Sequence, residues 1–211
     1  MMNDRELLVV RTANKVIDNC IPRMPTEMFG VCRYFGIELI TATEYLSCGM
    51  TADDLFGAWG NRDGFAVSRG KHHTINYNDR AAPKRARFTM AEELMHILLG
   101  HTRDQRFYTL DPKYDDKIYE QYENEARDGA GMVLVPPALY YKYRTLYGIQ
   151  QLARLCDVSE ACMYTVAKYY ESNEAELSEL TTHRYIMCDT TGLRPKLNYR
   201  PINIWPEDWI L

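Results

Sequence analysis

The sequence predicts an α+β protein in which amphipathic helices pack on a short antiparallel sheet. Apolar residues recur at helical spacing over residues 7–21, and residues 28–35 indicate a second helix that ends at Gly36. Residues 37–40 then predict a strand. With 211 residues and 46% hydrophobic content, the chain can bury one sizeable core.

The middle of the chain predicts the rest of the sheet. Glycines punctuate residues 49–71, which is typical of turns that link short antiparallel strands. Two strands are predicted there, at residues 64–67 and 74–78. Residues 79–87 carry several Arg and Lys side chains around Pro83 and predict an exposed basic segment that leads into the next helix.

Composition excludes several classes of protein. A formal net charge of -4 argues against a nucleic-acid coat protein. No apolar run is long enough for a membrane span, and residues 1–6 lack the apolar region of a secretory signal, so we expect a cytoplasmic protein with no membrane association. The six cysteines contain no Cys-x-x-Cys pair, which indicates reduced thiols.

The helix predicted at residues 89–99 carries the most informative motif, Glu92-Glu93-x-x-His96. Metallopeptidase helices of the His-Glu-x-x-His type place two imidazole ligands one turn apart, with a Glu that acts on water. Here Glu92 stands at the first ligand position. A second interpretation needs no metal, because Thr89 as N-cap and Glu92 three residues later also form a possible capping box.

The residues around this motif resemble a known family. Arg-Phe-Thr at 87–89, Leu-Gly-His at 99–101, Glu-Asn-Glu-Ala at 123–126 and Leu-Val-Pro at 134–136 are similar to the ImmA/IrrE-type metallo-endopeptidases. The likeness extends over roughly residues 10 to 170. It implies a zincin-like metallopeptidase core with a C-terminal helical, helix-turn-helix-like segment.

The resemblance also implies a set of site residues. Glu92, His96 and Glu125 would hold Zn²⁺, with Mn²⁺ or another divalent metal possible, and Glu93 would be the catalytic base for water attack on a peptide bond. Glu123 competes with Glu125 but lies roughly 200° around the helix, so we expect it to face solvent.

Four positions depart from the family pattern and bear on activity. Glu92 replaces the first His and would make a divalent site neutral, so that it polarises water less. Arg127, Gly129 and Gly131 replace an Asn or Asp, a Phe and an Ala in a helix predicted at residues 119–134. Each glycine costs a helix interior about 1 kcal/mol relative to Ala, which predicts a less constrained helix.

The resemblance implies an endopeptidase whose substrate is a helix-turn-helix repressor partner of a phage or mobile element. The alternative is a pseudo-peptidase that binds and relieves the repressor without cleaving it. A DNA-binding regulator is the third hypothesis, because residues 149–166 have helix-turn-helix spacing. We expect no direct DNA binding, since the second helix of that segment begins without Arg or Lys.

The sequence divides into three parts. Residues 1–145 predict the peptidase core, residues 146–175 the helix-turn-helix-like segment, and residues 176–211 an aromatic, Pro-rich tail that folds back on the body or binds a partner. His101, beyond the end of the motif helix, is expected to support the site without being a ligand.

Overall fold

The computed structural model describes residues 2–60, 63–104, 116–181 and 186–194. Over these ranges the chain has the mixed α+β character that the sequence predicts. Most of the tail, residues 195–211, lies outside the described residues, so the prediction for that segment stays a prediction. The three-part division of the chain likewise stays a prediction.

The elements follow one another in a helix-rich order. The N-terminal half contains α1 (Asp4–Cys20), α2 (Met28–Tyr34), β1 (Ile37–Thr41), α3 (Ala42–Ser47), α4 (Ala52–Trp59), β2 (Gly64–Arg69) and β3 (His72–Tyr77). The C-terminal half contains α5 (Pro83–Leu98), a 3-10 turn (His101–Arg103), α6 (Asp116–Leu134), α7 (Pro137–Tyr143), α8 (Ile149–Cys156), α9 (Glu160–Ser172) and α10 (Glu174–Leu180).

The sheet is mixed, which corrects the prediction of an antiparallel one. Within the described residues its strand order is β1-β3-β2. The β2–β3 hairpin is antiparallel and turns at Gly70, whose φ of 61° suits glycine. β1 pairs with the other edge of β3 in parallel, because the chain crosses through α3 and α4 before it returns as β2. β2 is therefore an edge strand.

The glycine-rich region contains a helix that the sequence analysis did not predict. Residues 52–59 form α4, capped by the Thr51 side chain, which accepts from the Asp54 amide. Gly60 ends the helix in the left-handed region at φ 70°. The glycine count indicated turns, but the Thr51 cap and the acidic first turn were a helix start signal in the same residues.

The motif helix α5 begins one and a half turns earlier than predicted. Pro83 occupies its first turn, where the missing amide costs nothing. Thr89 is only 2% exposed inside the helix, so the capping-box interpretation of Thr89 and Glu92 is wrong. The basic segment is also not a plain solvated flank, because Arg87 donates to the Thr26 carbonyl and pairs with Asp157 at 2.8 Å.

Helix α6 packs closely on α5 at Gly129 and on α9 at Gly131. A Cβ at Gly129 would overlap the Met95 side chain of α5, and one at Gly131 would lie 2.9 Å from Val166 Cγ2 of α9. Ala126 and Ala130 complete a small-residue face that is fully buried. The glycines therefore permit tight packing, and the expectation of a loosely constrained helix is wrong.

The C-terminal helices α8 and α9 lie against this core. Residues 157–159 join them, and Asp157 adopts a left-handed φ of 52°. Lys84 of α5 donates to the Val158 carbonyl at 2.9 Å, and the Tyr170 hydroxyl of α9 donates to the Val135 carbonyl at 2.5 Å. These bonds fix the segment beside the start of α5 and the end of α6.

The six cysteines are free thiols, as predicted. Over the described residues, no helix combines the length and the apolar character needed to cross a membrane.

Gly129→Ala is expected to destabilise the protein by about 1–3 kcal/mol, because the added methyl forces Met95 and α5 away from α6. Gly57→Ala is the matched control, since its Cβ meets no atom within 4 Å in α4, and it should stabilise by about 0.5–1 kcal/mol through helix propensity. Urea unfolding of both variants measures the difference. If Gly129→Ala stabilised as much as Gly57→Ala, the close-packing account would fail.

Candidate metal centre

The candidate site lies where α5 and α6 run antiparallel. His96 of α5 lies opposite Glu123 of α6, with 3.5 Å between His96 Nε2 and Glu123 Oε1. One turn back along α5, Glu92 lies opposite Arg127, with 3.6 Å between Glu92 Oε1 and Arg127 Nε. The motif residues of α5 therefore meet Glu123 and Arg127 of α6, whereas the sequence analysis named Glu125.

Glu125, the predicted third ligand, faces away from His96 Nε2. Arg5 of α1 donates to both of its oxygens, at 3.0 Å from Nε and 2.6 Å from Nη2. Gln121 donates to Oε1 at 2.6 Å, and His101 Nε2 lies 3.0 Å from Oε2. These donors lower the pKa of Glu125 although burial opposes them. Its carboxylate thus holds α1 against α6.

Glu123, expected in solvent, is the carboxylate of α6 that reaches His96, so that expectation is wrong. The error has a geometric origin, because Glu123 and Glu125 lie on opposite sides of the buried face formed by Ala126, Gly129, Ala130 and Val133, at roughly 70° and 90° from its centre. No local feature of α6 distinguishes them. The two carboxylates are distinguished by Arg5 of α1, which donates to Glu125 and leaves Glu123 on the side of His96.

A hydrogen-bond relay sets the protonation of the His96 ring. His101 Nδ1 lies 3.1 Å from His96 Nδ1, and both rings are only 1% exposed. Burial lowers the pKa of His96 to about 3 and also lowers that of His101, so both are neutral near pH 7. Because His101 Nε2 donates to Glu125, its Nδ1 is an acceptor, and His96 Nδ1 must be the donor.

The relay leaves His96 Nε2 as a lone pair directed at Glu123. A neutral imidazole with its other ring nitrogen hydrogen-bonded is the form in which His binds metals. Two ligands of a tetrahedral Zn²⁺ at ordinary bond lengths lie about 3.4 Å apart. The 3.5 Å between His96 Nε2 and Glu123 Oε1 matches that spacing.

Glu92 is a third side chain of a metal-binding type beside His96 and Glu123, but its carboxylate pairs with Arg127. Arg127 lies 3.6 Å from Glu92 and 4.0 Å from Glu123, and its Nη1 donates to Asn124 at 3.1 Å. Among the described residues no three His, Cys, Asp or Glu side chains already sit together as a metal cage. His96 and Glu123 fit a divalent cation, and Glu92 joins them if the Arg127 side chain, 48% exposed, turns away.

The carboxylates around His96 have raised pKa values. Burial and, to a smaller extent, the neighbouring carboxylates raise the pKa of Glu92 to about 7 and that of Glu93 well above its usual range. Burial also raises the pKa of Glu123, against a hydrogen bond from Tyr119. The Ala66 amide of edge strand β2 donates to Glu93 and favours its ionised form. A positive charge here would ionise the whole cluster.

An imidazole and carboxylates that converge from two packed helices form the donor arrangement of metal-dependent hydrolases. Residues 32–172 match the family model of the IrrE N-terminal-like domain, Peptidase M78. The match covers more than half of the chain, so the chain belongs to this family, and the resemblance to ImmA/IrrE proteins is confirmed.

A curated relative carries a related sequence. The radiation response metalloprotease IrrE of Deinococcus deserti is 33% identical over 121 residues, which is 54% of this chain and 42% of the relative. The chain therefore matches about two fifths of the length of that protein. The family indicates a metallopeptidase type of chemistry and a divalent metal.

The relay predicts the tautomers of two rings in the metal-free protein. Long-range ¹H–¹⁵N correlation spectra should show His96 protonated on Nδ1 and His101 on Nε2, with the His96 ring neutral down to about pH 5. His101→Phe keeps the stacking on Tyr122, whose ring centroid is 4.2 Å away, but removes the acceptor for His96. That variant should convert His96 to a tautomer mixture. An Nε2-protonated His96 in the unmutated protein would contradict the relay.

Proposed function

We propose that this protein is a metal-dependent endopeptidase whose centre is formed by Glu92, His96 and Glu123, with Glu93 as the base. The observation that carries the proposal is the spacing of 3.5 Å between the His96 lone pair and Glu123, one helical turn from the motif carboxylates. Membership of the IrrE N-terminal-like family supports the same chemistry. Glu123 replaces Glu125 in the ligand set that the sequence implied.

A bound Zn²⁺, or Mn²⁺ where oxygen donors dominate, would supply Lewis acidity and a lowered pKa for water at this position. The charge balance of the chain then follows. Glu92 and Glu123 carry two negative charges and His96 none, so a divalent centre is neutral. A neutral centre activates water less than one with two imidazoles and a single carboxylate, and turnover is therefore expected to be slow.

Glu93 has the environment of a general base that works only in a loaded site. Burial raises the pKa of the Glu93 carboxyl well above its usual range, and a divalent cation held beside it would favour the carboxylate. Glu93 then accepts the proton of the attacking water and returns it to the leaving amine. The Ala66 amide orients the carboxylate during both transfers.

The substrate in this proposal is a helix-turn-helix repressor partner of a phage or mobile element. It comes from the resemblance of residues 87–136 to ImmA/IrrE-type peptidases. A second function, binding and relief of the repressor without cleavage, is favoured by one observation. Arg127 already neutralises Glu92 and Glu123 with a cation of the chain itself, as an inactivated centre would require.

Metal affinity distinguishes the two carboxylates of α6. Glu123→Gln should weaken Zn²⁺ binding about 10–100-fold or more, because it removes a ligand, while Glu92→His should tighten it by adding an imidazole. Glu125→Gln is the isosteric control and should change affinity less, because it acts only through His101. Competition titrations with a chromogenic chelator measure all three. A larger loss in Glu125→Gln would return the ligand role to Glu125.

Cleavage distinguishes the two functions. Co-expression with the neighbouring repressor, followed by mass spectrometry, should show slow and metal-dependent cleavage by the unmutated protein. Glu93→Gln should abolish it and leave repressor binding intact, because shape is kept and only the base is lost. If both proteins leave the repressor whole yet both relieve repression, the pseudo-peptidase function is correct.

A further inference from the structure

A large cavity continues from the candidate centre along the same pair of helices. Its volume is about 840 Å³, within the range of ligand pockets. Phe88 of α5 and Gly131 of α6 form its inner wall, and Cys162, Val166 and Tyr169 of α9 form its outer wall. The helix-turn-helix-like segment thus encloses a pocket against the peptidase core.

The pocket and the centre share one face of the α5–α6 pair. Phe88 precedes Glu92 by four residues, so it lies one helical turn, about 5–6 Å, further back on α5. Gly131 follows Arg127 by four residues on the antiparallel helix α6, and Arg127 borders both the pocket and the centre. The cavity therefore lies about one helical turn from the candidate centre, with Arg127 between them.

The cations that line the pocket are already paired. Arg85 makes a two-pronged pair with Asp63 at 2.9 and 2.6 Å, and Lys84 donates to the Val158 carbonyl and lies 3.8 Å from Asp157. Asp157 is itself paired with Arg87. The pocket therefore has no strong attraction for an anion, in spite of the basic sequence around Pro83.

Asp128 is the exception among the charged residues of the lining. Over the described part of the chain its carboxylate has no hydrogen-bond or ion-pair partner, although Arg127, Glu6 and Tyr169 lie within electrostatic range. Burial raises the pKa of Asp128 to about 6, and Glu6 adds to the effect. A partly desolvated carboxylate without a partner gains more from an incoming cation than a solvated one.

We propose that this cavity is a substrate-binding pocket that takes a Lys or Arg side chain together with neighbouring apolar residues of the polypeptide, with Asp128 as the residue that selects the cation. The role of the pocket in substrate binding rests on the proposed peptidase function, whereas its preference for a cationic side chain does not. Phe88, Val166 and Tyr169 contact the methylene stem and the apolar neighbours, and Asp128 accepts from the charged end. The free volume exceeds one side chain, which is why a short segment is the occupant.

Binding is tested apart from cleavage in the full-length Glu93→Gln protein. The probes are fluorescein-labelled Leu-Leu-Lys-Leu-Leu and the same peptide with norleucine, which keeps the stem of lysine and removes its charge. Fluorescence anisotropy should show the Lys peptide binding at least about tenfold more tightly, the value of one charged hydrogen bond. Asp128→Asn should abolish this preference and leave the norleucine peptide unchanged.

Ala161→Trp tests the cavity itself, because Ala161 is an exposed residue of α9 that lines it, and the indole would fill it. It should weaken both peptides at least about tenfold. Lys168→Trp is the matched control on an exposed position of α9 outside the lining, and should weaken neither. Circular dichroism checks that each variant is folded. If Ala161→Trp does not fold, the loss or survival of the Lys preference in Asp128→Asn tests the proposal.

Three results would overturn the proposal. The first is that neither peptide binds. The second is that both peptides bind equally and only Ala161→Trp weakens them, which would assign the pocket to an uncharged apolar ligand. The third is that the preference for the Lys peptide survives in Asp128→Asn. Failure of the peptidase function gives a different pattern. Peptide selectivity through Asp128 without any cleavage by the unmutated protein would keep the pocket and remove the peptidase. Cleavage by Asp128→Asn with an unchanged KM would keep the peptidase function and remove the pocket proposal.

Discussion

The close packing of α5 on α6 is the constraint from which the rest of the site follows. Gly129 gives Met95 the space that a side chain would occupy, so the two helices approach closely and stay in one register. That register sets His96 opposite Glu123 and Glu92 opposite Arg127. It also carries the apolar pocket along the same face. A one-residue shift would separate the imidazole from its carboxylate and leave buried charges without partners.

The second determinant of the site is its attachment to α1. Arg5 holds Glu125, Glu125 accepts from His101, and His101 accepts from His96. Each member satisfies the hydrogen-bonding groups of the next, so the buried rings have defined tautomers. The Arg5 side chain is 42% exposed. The series of hydrogen bonds therefore runs from the surface of α1 to the candidate centre. Glu125 acts here by positioning another residue.

Local patterns predicted the elements well and the site only in part. Apolar periodicity located α1, and the motif located Glu92, Glu93 and His96 on one helix, because these features depend on neighbours in sequence. The choice between Glu123 and Glu125 depends on Arg5, which is far away in the chain, and α6 alone offers two equal flanks. The value of Gly129 depends on Met95 of another helix. Helix propensity alone predicts that this glycine destabilises α6, whereas the close packing of Met95 requires a residue without a side chain at this position.

The charge of the centre connects these points. Glu92, Glu93 and Glu123 cannot all be ionised beside a neutral imidazole unless a cation compensates them, and Arg127 is placed to do so from a largely exposed side chain. A divalent ion offers the same compensation at shorter range and with directed bonds. The two cations therefore compete for the same carboxylates. Because Arg127 also borders the apolar pocket, a polypeptide bound there as proposed would contact the residue that pairs with Glu92.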